Sequence, residues 1–218
     1  MRMRKLALSI AAAAVAVSAY ASGWNVNVIT NIGVLNPGGV ISSAPTTIFS
    51  NPLPQVTFNT ASATPNPILV GDGTAFTNGT FTAVYSVNDT SGTKGSLTGF
   101  NFVVSAFVQG TGRIVWFKKV VDRNTSEILF DGTGVFLGGA YSGGSDGPVS
   151  YSVFVPLSSP SNNFTVFEVF ILDIADDAAP GPNTASLLLV EQDWVPEPAS
   201  LLALATGLGA LALRRRKK

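Results

Sequence analysis

Apolar and polar residues alternate along most of the central part of the chain. At residues 81–87, for example, Phe81, Ala83 and Tyr85 fall on one face and Thr82 on the other. Period-two alternation rich in aromatic and β-branched residues predicts half-buried strands. The same pattern predicts strands at residues 24–30, 81–87, 99–109, 113–121, 126–130, 149–155, 163–174 and 186–194, with a shorter ninth strand at 55–58.

Turn-forming residues separate these segments. Gly, Asn, Asp and Ser cluster at residues 88–95, 109–113, 122–127, 131–134 and 143–148, where they predict turns. Residues 113–121 and 126–130 are predicted to pair as a hairpin, and residues 31–54 and 175–185 to form surface loops, the first with one short strand. Eight or nine closely spaced strands predict an all-β fold, a two-sheet antiparallel sandwich that is jelly-roll-like.

The N-terminal segment has the three parts of a secretory signal. Its positive charges come from Arg2, Arg4 and Lys5. An uncharged apolar stretch follows at residues 6–17 and is too short to span a bilayer of roughly 30 Å. Ala19 and Ala21 occupy the −3 and −1 positions of a small-residue cleavage site. The pattern predicts a signal peptide over residues 1–21, which forms a signal helix on the N-terminal side of the sandwich and is removed by signal peptidase.

The C-terminal segment predicts a membrane anchor. Residues 199–213 carry no charge, and as a helix they would extend about 22 Å, at about 1.5 Å per residue. Flanking long basic side chains can reach the interface from such a short span. The basic residues that follow are Arg214, Arg215, Arg216, Lys217 and Lys218. Because positive charge stays on the cytoplasmic side, we expect a C-terminal transmembrane helix with the central domain outside.

The tail resembles the PEP-CTERM sorting signal of exported bacterial proteins. The motif residues that carry the resemblance are Val195, Pro196, Glu197, Pro198, Ala199 and Ser200, ahead of the apolar segment and the basic cluster. The resemblance implies recognition by an exosortase-like processing enzyme, an inner-membrane-anchored precursor, and delivery to the cell surface or extracellular space. It also implies exopolysaccharide as a neighbour, and similar tails occur on some ice-binding proteins. The domains expected are therefore a signal peptide (1–21), a secreted β-sandwich (22–194) and a sorting and anchor segment (195–218).

Charge and composition narrow the functions of the central domain. Between residues 22 and 196 there are five basic and twelve acidic residues, so its net charge is −7. A nucleic-acid partner is not expected, since such binding requires a basic surface. The absence of His and Cys excludes a Ser-His-Asp triad, a cysteine nucleophile and a histidine metal site. Lys118 and Lys119 lie mid-strand without a serine motif and are expected to be solvated. No cofactor is expected, and a non-enzymatic protein is favoured.

Paired carboxylates are the remaining route to catalysis. Glycoside hydrolysis needs two carboxyl groups roughly 5–10 Å apart in a cleft. Glu168 and Glu191 lie on separate predicted strands, and Glu127 and Asp131 are further candidates. Glu168 interrupts an apolar run and lies on the same strand face as the apolar residues of that run, so the pattern is compatible with its burial. Burial would raise the pKa of this carboxyl group. The favoured interpretation places it outward, and a hydrolase is the least favoured alternative.

Two kinds of ligand site remain as hypotheses. Asp173, Asp176 and Asp177 are a weak calcium candidate, because hard cations prefer oxygen ligands. Tyr141, in the glycine-rich segment 138–147, is the candidate ligand residue, since loops display side chains.

Other side chains are compatible with ligand contact. The candidate stacking residues are the tryptophans Trp24, Trp116 and Trp194. Trp116 is nevertheless expected in the core, and Trp24 and Trp194 are expected to pack together. The threonines at residues 77–82 are compatible with a surface that binds ice. The sequence therefore predicts an exported cell-surface or matrix protein, with a glycan- or ice-binding adhesin module as the alternative.

Overall fold

A computed structural model describes residues 23–92, 94–175 and 183–196, which form β-strands with one single-turn 3-10 helix at Thr60–Ser62. The strands are β1 (Asn25–Asn36), β2 (Val40–Ser43), β3 (Thr46–Phe49), β4 (Gln55–Phe58), β5 (Leu69–Gly71), β6 (Asn78–Asn88), β7 (Leu97–Gln109), β8 (Gly112–Asp122), β9 (Ile128–Leu137), β10 (Gly147–Ser161), β11 (Asn163–Ile174) and β12 (Thr184–Pro196).

The strands form two antiparallel sheets that pack face to face. Sheet A has the order β2-β1-β6-β11-β8-β9, and sheet B has the order β10-β7-β12-β4-β3, with β5 also paired to β12. From β6 onward the chain passes repeatedly from one sheet to the other. Within the sheets, the order β4-β12-β7-β10 faces β6-β11-β8-β9, which is the strand order of a jelly roll. The predicted all-β sandwich is confirmed.

Alternation along each strand places its apolar face in the core between the sheets. Buried aromatic rings from both sheets contact one another there. Phe102 of sheet B lies 5.2 Å, centre to centre, from Trp116 of sheet A. Trp194 of sheet B lies 4.3 Å from Phe164 of sheet A. Rings of this size bury much apolar area and prefer such tilted or edge-on contacts.

The hairpin predicted at residues 113–130 is confirmed. Strands β8 and β9 pair with Lys119 opposite Asp131 and Val120 opposite Phe130. The turn predicted at residues 131–134 is wrong, because these residues lie inside β9. Glycine is needed there for packing, since a Cβ on Gly134 would lie 2.6 Å from atoms of the Trp116 side chain.

The long loop predicted at residues 31–54 is also wrong in most of its length. Strand β1 continues to Asn36, and β2 and β3 follow it, so that the segment supplies edge strands to both sheets. Proline and glycine are common at edges and turns, and their frequency concealed these short strands. The predicted signal helix, C-terminal helix and most of the second loop lie outside the described residues. Within the described residues, no helix is long and apolar enough to cross a membrane.

Candidate functional site

A lysine and a glutamate meet in the middle of the core. Lys118 on β8 lies directly opposite Glu168 on β11, and their side chains are 1% and 0% exposed. Lys118 Nζ donates a hydrogen bond to Glu168 Oε1. The prediction that both residues face solvent is wrong. Lys118 follows the inward phase of Trp116 and Val120 along β8, so the alternation of the strand carries it into the core.

Two further polar side chains complete this cluster, which we call the core network: Tyr85, Lys118, Glu168 and Gln192. Gln192 Nε2, on β12 of sheet B, donates to Glu168 Oε2 at 3.2 Å. The Tyr85 hydroxyl, on β6, donates to Gln192 Oε1 at 3.0 Å. The network therefore links the two sheets, and every polar side chain in it has a partner, as buried polar groups require.

The surroundings of the core network favour uncharged side chains. Burial lowers the pKa of Lys118, although the nearby Glu168 opposes that shift. Burial raises the pKa of Glu168, again against the opposing effect of Lys118. Lys118 Nζ also lies 4.7 Å and 4.5 Å from the ring centres of Phe100 and Phe102. Burial therefore shifts this pair toward a protonated Glu168 and an uncharged amine on Lys118.

The predicted carboxylate pair does not share a cleft. Glu168 points into the core, whereas Glu191 lies next to the inward-facing Gln192 on β12 and so points out of sheet B. There Glu191 Oε2 accepts a hydrogen bond from Thr57 Oγ1 at 3.0 Å. Of the two further candidates, Glu127 accepts a bond from Ser159 Oγ at 3.2 Å, and Asp131 forms an exposed ion pair with Lys119 at 3.1 Å.

The candidate ligand residue Tyr141 lies in the loop between β9 and β10. Its hydroxyl donates to the backbone oxygen of Thr111 at 3.1 Å, which holds the half-buried ring against the loop. The tryptophans proposed as stacking residues are all buried, at 4% (Trp24), 7% (Trp116) and 1% (Trp194) exposure. Burial confirms the core position expected for Trp116 and removes these three rings from the surface.

The calcium candidate is only partly described. Arg113 holds both carboxylate oxygens of Asp173, through Nε at 2.9 Å and Nη2 at 2.7 Å. Asp176 and Asp177 lie outside the described residues. Among the residues that the structure describes, no three His, Cys, Asp or Glu side chains come together as a metal site would require.

The threonines considered for ice lie on the outer face of sheet A. Thr80 and Thr82 on β6 alternate with the buried Phe81. Their cross-strand neighbours on this face are apolar: Thr82 pairs with Val169 and Ile32, and Thr80 pairs with Ile171. The face is therefore a mixture of hydroxyl and apolar groups.

The outer face of sheet B carries a row of side chains that crosses five strands. We call it the cross-strand row, and its members in spatial order are Phe154, Asn101, Asp193, Gln55 and Phe49. The two terminal phenylalanines are 51% and 53% exposed. Four strand spacings of about 4.8 Å place them about 19 Å apart, with two amides and a carboxylate between them.

Every member of the cross-strand row except Phe154 borders a surface depression of about 500 Å³. Phe49, Gln55, Asn101 and Asp193 all line it, together with Val195. Burial raises the pKa of Asp193, and the neighbouring charge of Glu191 raises it further. The depression thus places hydrogen-bonding groups beside an exposed ring.

Sequence reasoning named Glu191 of β12 as a candidate carboxylate but did not identify Gln192 as a core residue or Asp193 as part of a surface row, although the signal was present. Residues 191–193 are three consecutive polar residues within a strand. Period two places Gln192 on the inward face with Val190 and Trp194, and it places Glu191 and Asp193 on the outward face. The neighbouring strands that complete each cluster follow only from the pairing of the sheets.

The C-terminal motif begins inside sheet B. Val195 and Pro196 are the last residues of β12, where they pair with Gly99 and Leu97 of β7. Thr98 Oγ1 donates to the backbone oxygen of Pro196 at 3.3 Å. Extended backbone at Pro196 agrees with the prediction, and the rest of the motif, the basic cluster and the signal cleavage site lie outside the described residues.

Residues 195–217 match the PEP-CTERM protein-sorting motif. The chain therefore carries the sorting signal that its tail resembles. The motif implies an exported protein, a membrane-anchored precursor and processing by an exosortase. A search of curated protein sequences finds no match.

A search of solved structures matches several carbohydrate-binding modules. One is the CBM36-1 domain of a multidomain xylanase from the hindgut metagenome of Trinervitermes trinervoides, with 14% identity, coverage of 78% of this chain and 95% of that one, and a TM-score of 0.27. Another is TmCBM61 in complex with β-1,4-galactotriose, with 8% identity, coverage of 78% and 88%, and a TM-score of 0.32. A third is the family 11 carbohydrate-binding module from Clostridium thermocellum in complex with a β-1,3-1,4-mixed-linked tetrasaccharide, with 12% identity, coverage of 81% and 99%, and a TM-score of 0.27. Similarities of this size do not identify what this chain binds.

Proposed function

We propose that this chain, which carries a PEP-CTERM sorting signal, is a non-enzymatic protein whose β-sandwich is delivered to the cell surface or extracellular matrix. In this proposal signal peptidase removes residues 1–21. The C-terminal segment anchors the precursor in the inner membrane until an exosortase-like enzyme cuts near Pro196, Glu197 and Pro198.

The observation that carries this proposal is the sorting motif itself, at residues 195–217. Its position relative to the fold supports processing. The motif begins on the last two residues of β12, so a cut beyond Pro196 leaves every strand pairing of sheet B intact. The released domain would keep its complete core.

The intact mass of the protein recovered from its native cell surface tests this proposal. We expect a mass that lacks residues 1–21 and the segment beyond the Pro-Glu-Pro motif, with the new C-terminus located by peptide sequencing. Glu197→Ala should retain the tail, whereas the control Glu191→Ala, on β12 and outside the motif, should be processed normally. Recovery of a surface protein that still ends in Arg214 to Lys218 would contradict processing.

A second candidate function is binding of a neutral glycan by sheet B. The cross-strand row supports it, because Phe154 and Phe49 can pack against the apolar faces of sugar rings while Asn101, Asp193 and Gln55 hydrogen-bond to hydroxyls. Their separation of about 19 Å suits an oligosaccharide rather than one sugar. Carboxylates on this face, in a domain with net charge −7, disfavour anionic polysaccharides.

Binding to an array of neutral and anionic oligosaccharides tests this candidate. Phe154→Ala and Asp193→Ala should each weaken binding to a neutral glycan by about tenfold or more, corresponding to about 1.4 kcal/mol or more. The matched control is Phe117→Ala, which removes a similarly exposed ring from sheet A and should leave binding unchanged. Equal loss in all three variants, or binding only to anionic glycans, would contradict a site on sheet B.

A further inference from the structure

We propose that Lys118 and Gln192 become joined by an intramolecular isopeptide bond, formed within the core network with Glu168 as the proton carrier and Tyr85 as the oxyanion donor. The inference is independent of the sorting and glycan proposals. It rests on the hydrogen bonds and the burial of these four side chains.

The core network contains one chemical group for each role in an acyl transfer to an amine. The nucleophile is the Lys118 amine, which touches one oxygen of the Glu168 carboxyl group. The leaving group is the Gln192 amide nitrogen, which touches the other oxygen at 3.2 Å. A single carboxyl group thus contacts both nitrogen atoms between which a proton must move.

The electrophile is polarised from the opposite side. The Tyr85 hydroxyl donates to Gln192 Oε1 at 3.0 Å, the oxygen on which negative charge develops when an amine attacks the amide carbon. A hydrogen-bond donor fixed in a water-excluded core stabilises such charge strongly. Burial also raises the pKa of Tyr85, and the nearby Glu168 raises it further, so the hydroxyl keeps its proton.

The step balances without any further reactant. The electron pair of Lys118 Nζ forms a bond to Gln192 Cδ, and the Cδ–Nε2 bond breaks. Glu168 accepts a proton from Nζ and passes a proton to Nε2, which leaves as ammonia. The products are one secondary amide between the two side chains and one ammonia, and nothing is oxidised or reduced.

The surroundings explain why a lysine can act as a nucleophile here. An amine must be unprotonated to attack, and an ordinary lysine is protonated at neutral pH. Lys118 lies within an apolar core beside the rings of Phe100 and Phe102, where burial lowers its pKa. Burial of Glu168 in the same place favours the neutral acid that protonates the leaving nitrogen.

Gln192 is a better acyl donor than Glu168 in this arrangement. Condensation of Lys118 with Glu168 itself would use up the only carboxyl group of the core network and leave no proton carrier. Attack on Gln192 keeps Glu168 free throughout the step. The bond would also run from β8 of sheet A to β12 of sheet B, so it would join the two sheets covalently.

The bond would have a structural effect in this chain. The sequence contains no cysteine, so disulfides cannot cross-link it. Strand β12 continues directly into the sorting motif, and a bond at Gln192 would fasten that strand to the opposite sheet. Closing a long loop in this way stabilises a fold chiefly by restricting the unfolded chain.

High-resolution mass spectrometry of the denatured full chain tests the proposal. After the termini are identified by peptide sequencing, we expect a mass lower than the sequence mass by one ammonia. Digestion should yield one branched peptide that contains Lys118 and Gln192. A mass equal to that of the sequence, or a loss of water with Lys118 linked to Glu168, would overturn the proposal, and the wild-type result does not depend on how any variant folds.

Variants separate the chemical roles. Lys118→Met should show the full sequence mass, whereas the control Lys119→Met, the solvent-facing neighbour, should keep the ammonia loss. Tyr85→Phe should slow bond formation by roughly 10²–10³-fold and leave measurable unlinked protein, as expected on loss of one oxyanion donor. Unchanged linkage in a folded Glu168→Gln variant would overturn the role of Glu168, with folding checked by near-UV circular dichroism.

Discussion

Lys118 and Glu168 are direct cross-strand neighbours whose polar ends lie wholly inside the core between the sheets. Both are unusual residues for a protein core, because lysine and glutamate are almost never fully buried without a partner. Their contact, extended by Gln192 and Tyr85, allows the core to accept them. The stability of the sandwich therefore depends on the pair as a unit.

The buried pair should show strong energetic coupling. Lys118→Met or Glu168→Leu alone leaves an unpaired polar group in the core and should lower the free energy of unfolding by about 3–5 kcal/mol. The double variant should be more stable than either single variant, because two apolar side chains can pack together there. Urea unfolding of the wild type and all three variants measures this, and additive losses would contradict coupling.

Gly134 should not tolerate a larger residue. A Cβ there would lie 2.6 Å from the buried Trp116 ring, so Gly134→Ala must displace that ring. We expect a loss of about 1–3 kcal/mol in the free energy of unfolding. Val135→Ala, at the next and exposed position of β9, should change it by less than about 0.5 kcal/mol. Thermal unfolding measures both variants. Equal changes in Gly134→Ala and Val135→Ala would show that the Trp116 ring moves away from the added Cβ without loss of stability.

Asp122 should contribute to acid sensitivity. Burial opposes its charge, but hydrogen bonds from Ser161 Oγ and from the backbone of Asn124 and Thr125 outweigh burial and lower its pKa. A lowered folded-state pKa gives stability that is present above the ordinary value of about 3.9 and is lost as pH falls below it.

Asp122→Asn should therefore weaken the dependence of stability on pH below about pH 4 and lower stability at neutral pH by about 1 kcal/mol or more. Unfolding experiments across an acidic pH series measure both effects. The control is Asp131→Asn on the exposed surface. A variant curve parallel to the wild type would show that Asp122 does not carry the acid response.

Calcium should not stabilise the sandwich through Asp173. Both oxygens of that carboxylate already accept hydrogen bonds from Arg113, and a cation would have to displace the guanidinium. We expect the same melting temperature in excess calcium and in chelator. A rise of several degrees in calcium that disappears in Asp173→Asn would restore the calcium hypothesis for Asp173, Asp176 and Asp177.

The strands were largely predictable because their signal is local. Alternation of apolar and polar residues identified the strands from β6 to β12 and the hairpin of β8 and β9. The edge strands β2 and β3 were not located, and only one short strand was expected in their segment, because each is short and lies among prolines and glycines. Their strand character comes from pairing with a neighbour rather than from their own composition.

The sequence by itself determined that this protein carries a sorting signal, since the sorting motif is a linear pattern that needs no folded context. It also determined the all-β class and the absence of histidine and cysteine chemistry. Only the tertiary structure decided that Lys118 and Glu168 face inward and meet Gln192, and that Phe154 and Phe49 end one row on sheet B. Side-chain periodicity places a residue on one of two faces, but which face is buried and which strand lies opposite depend on the register between distant segments.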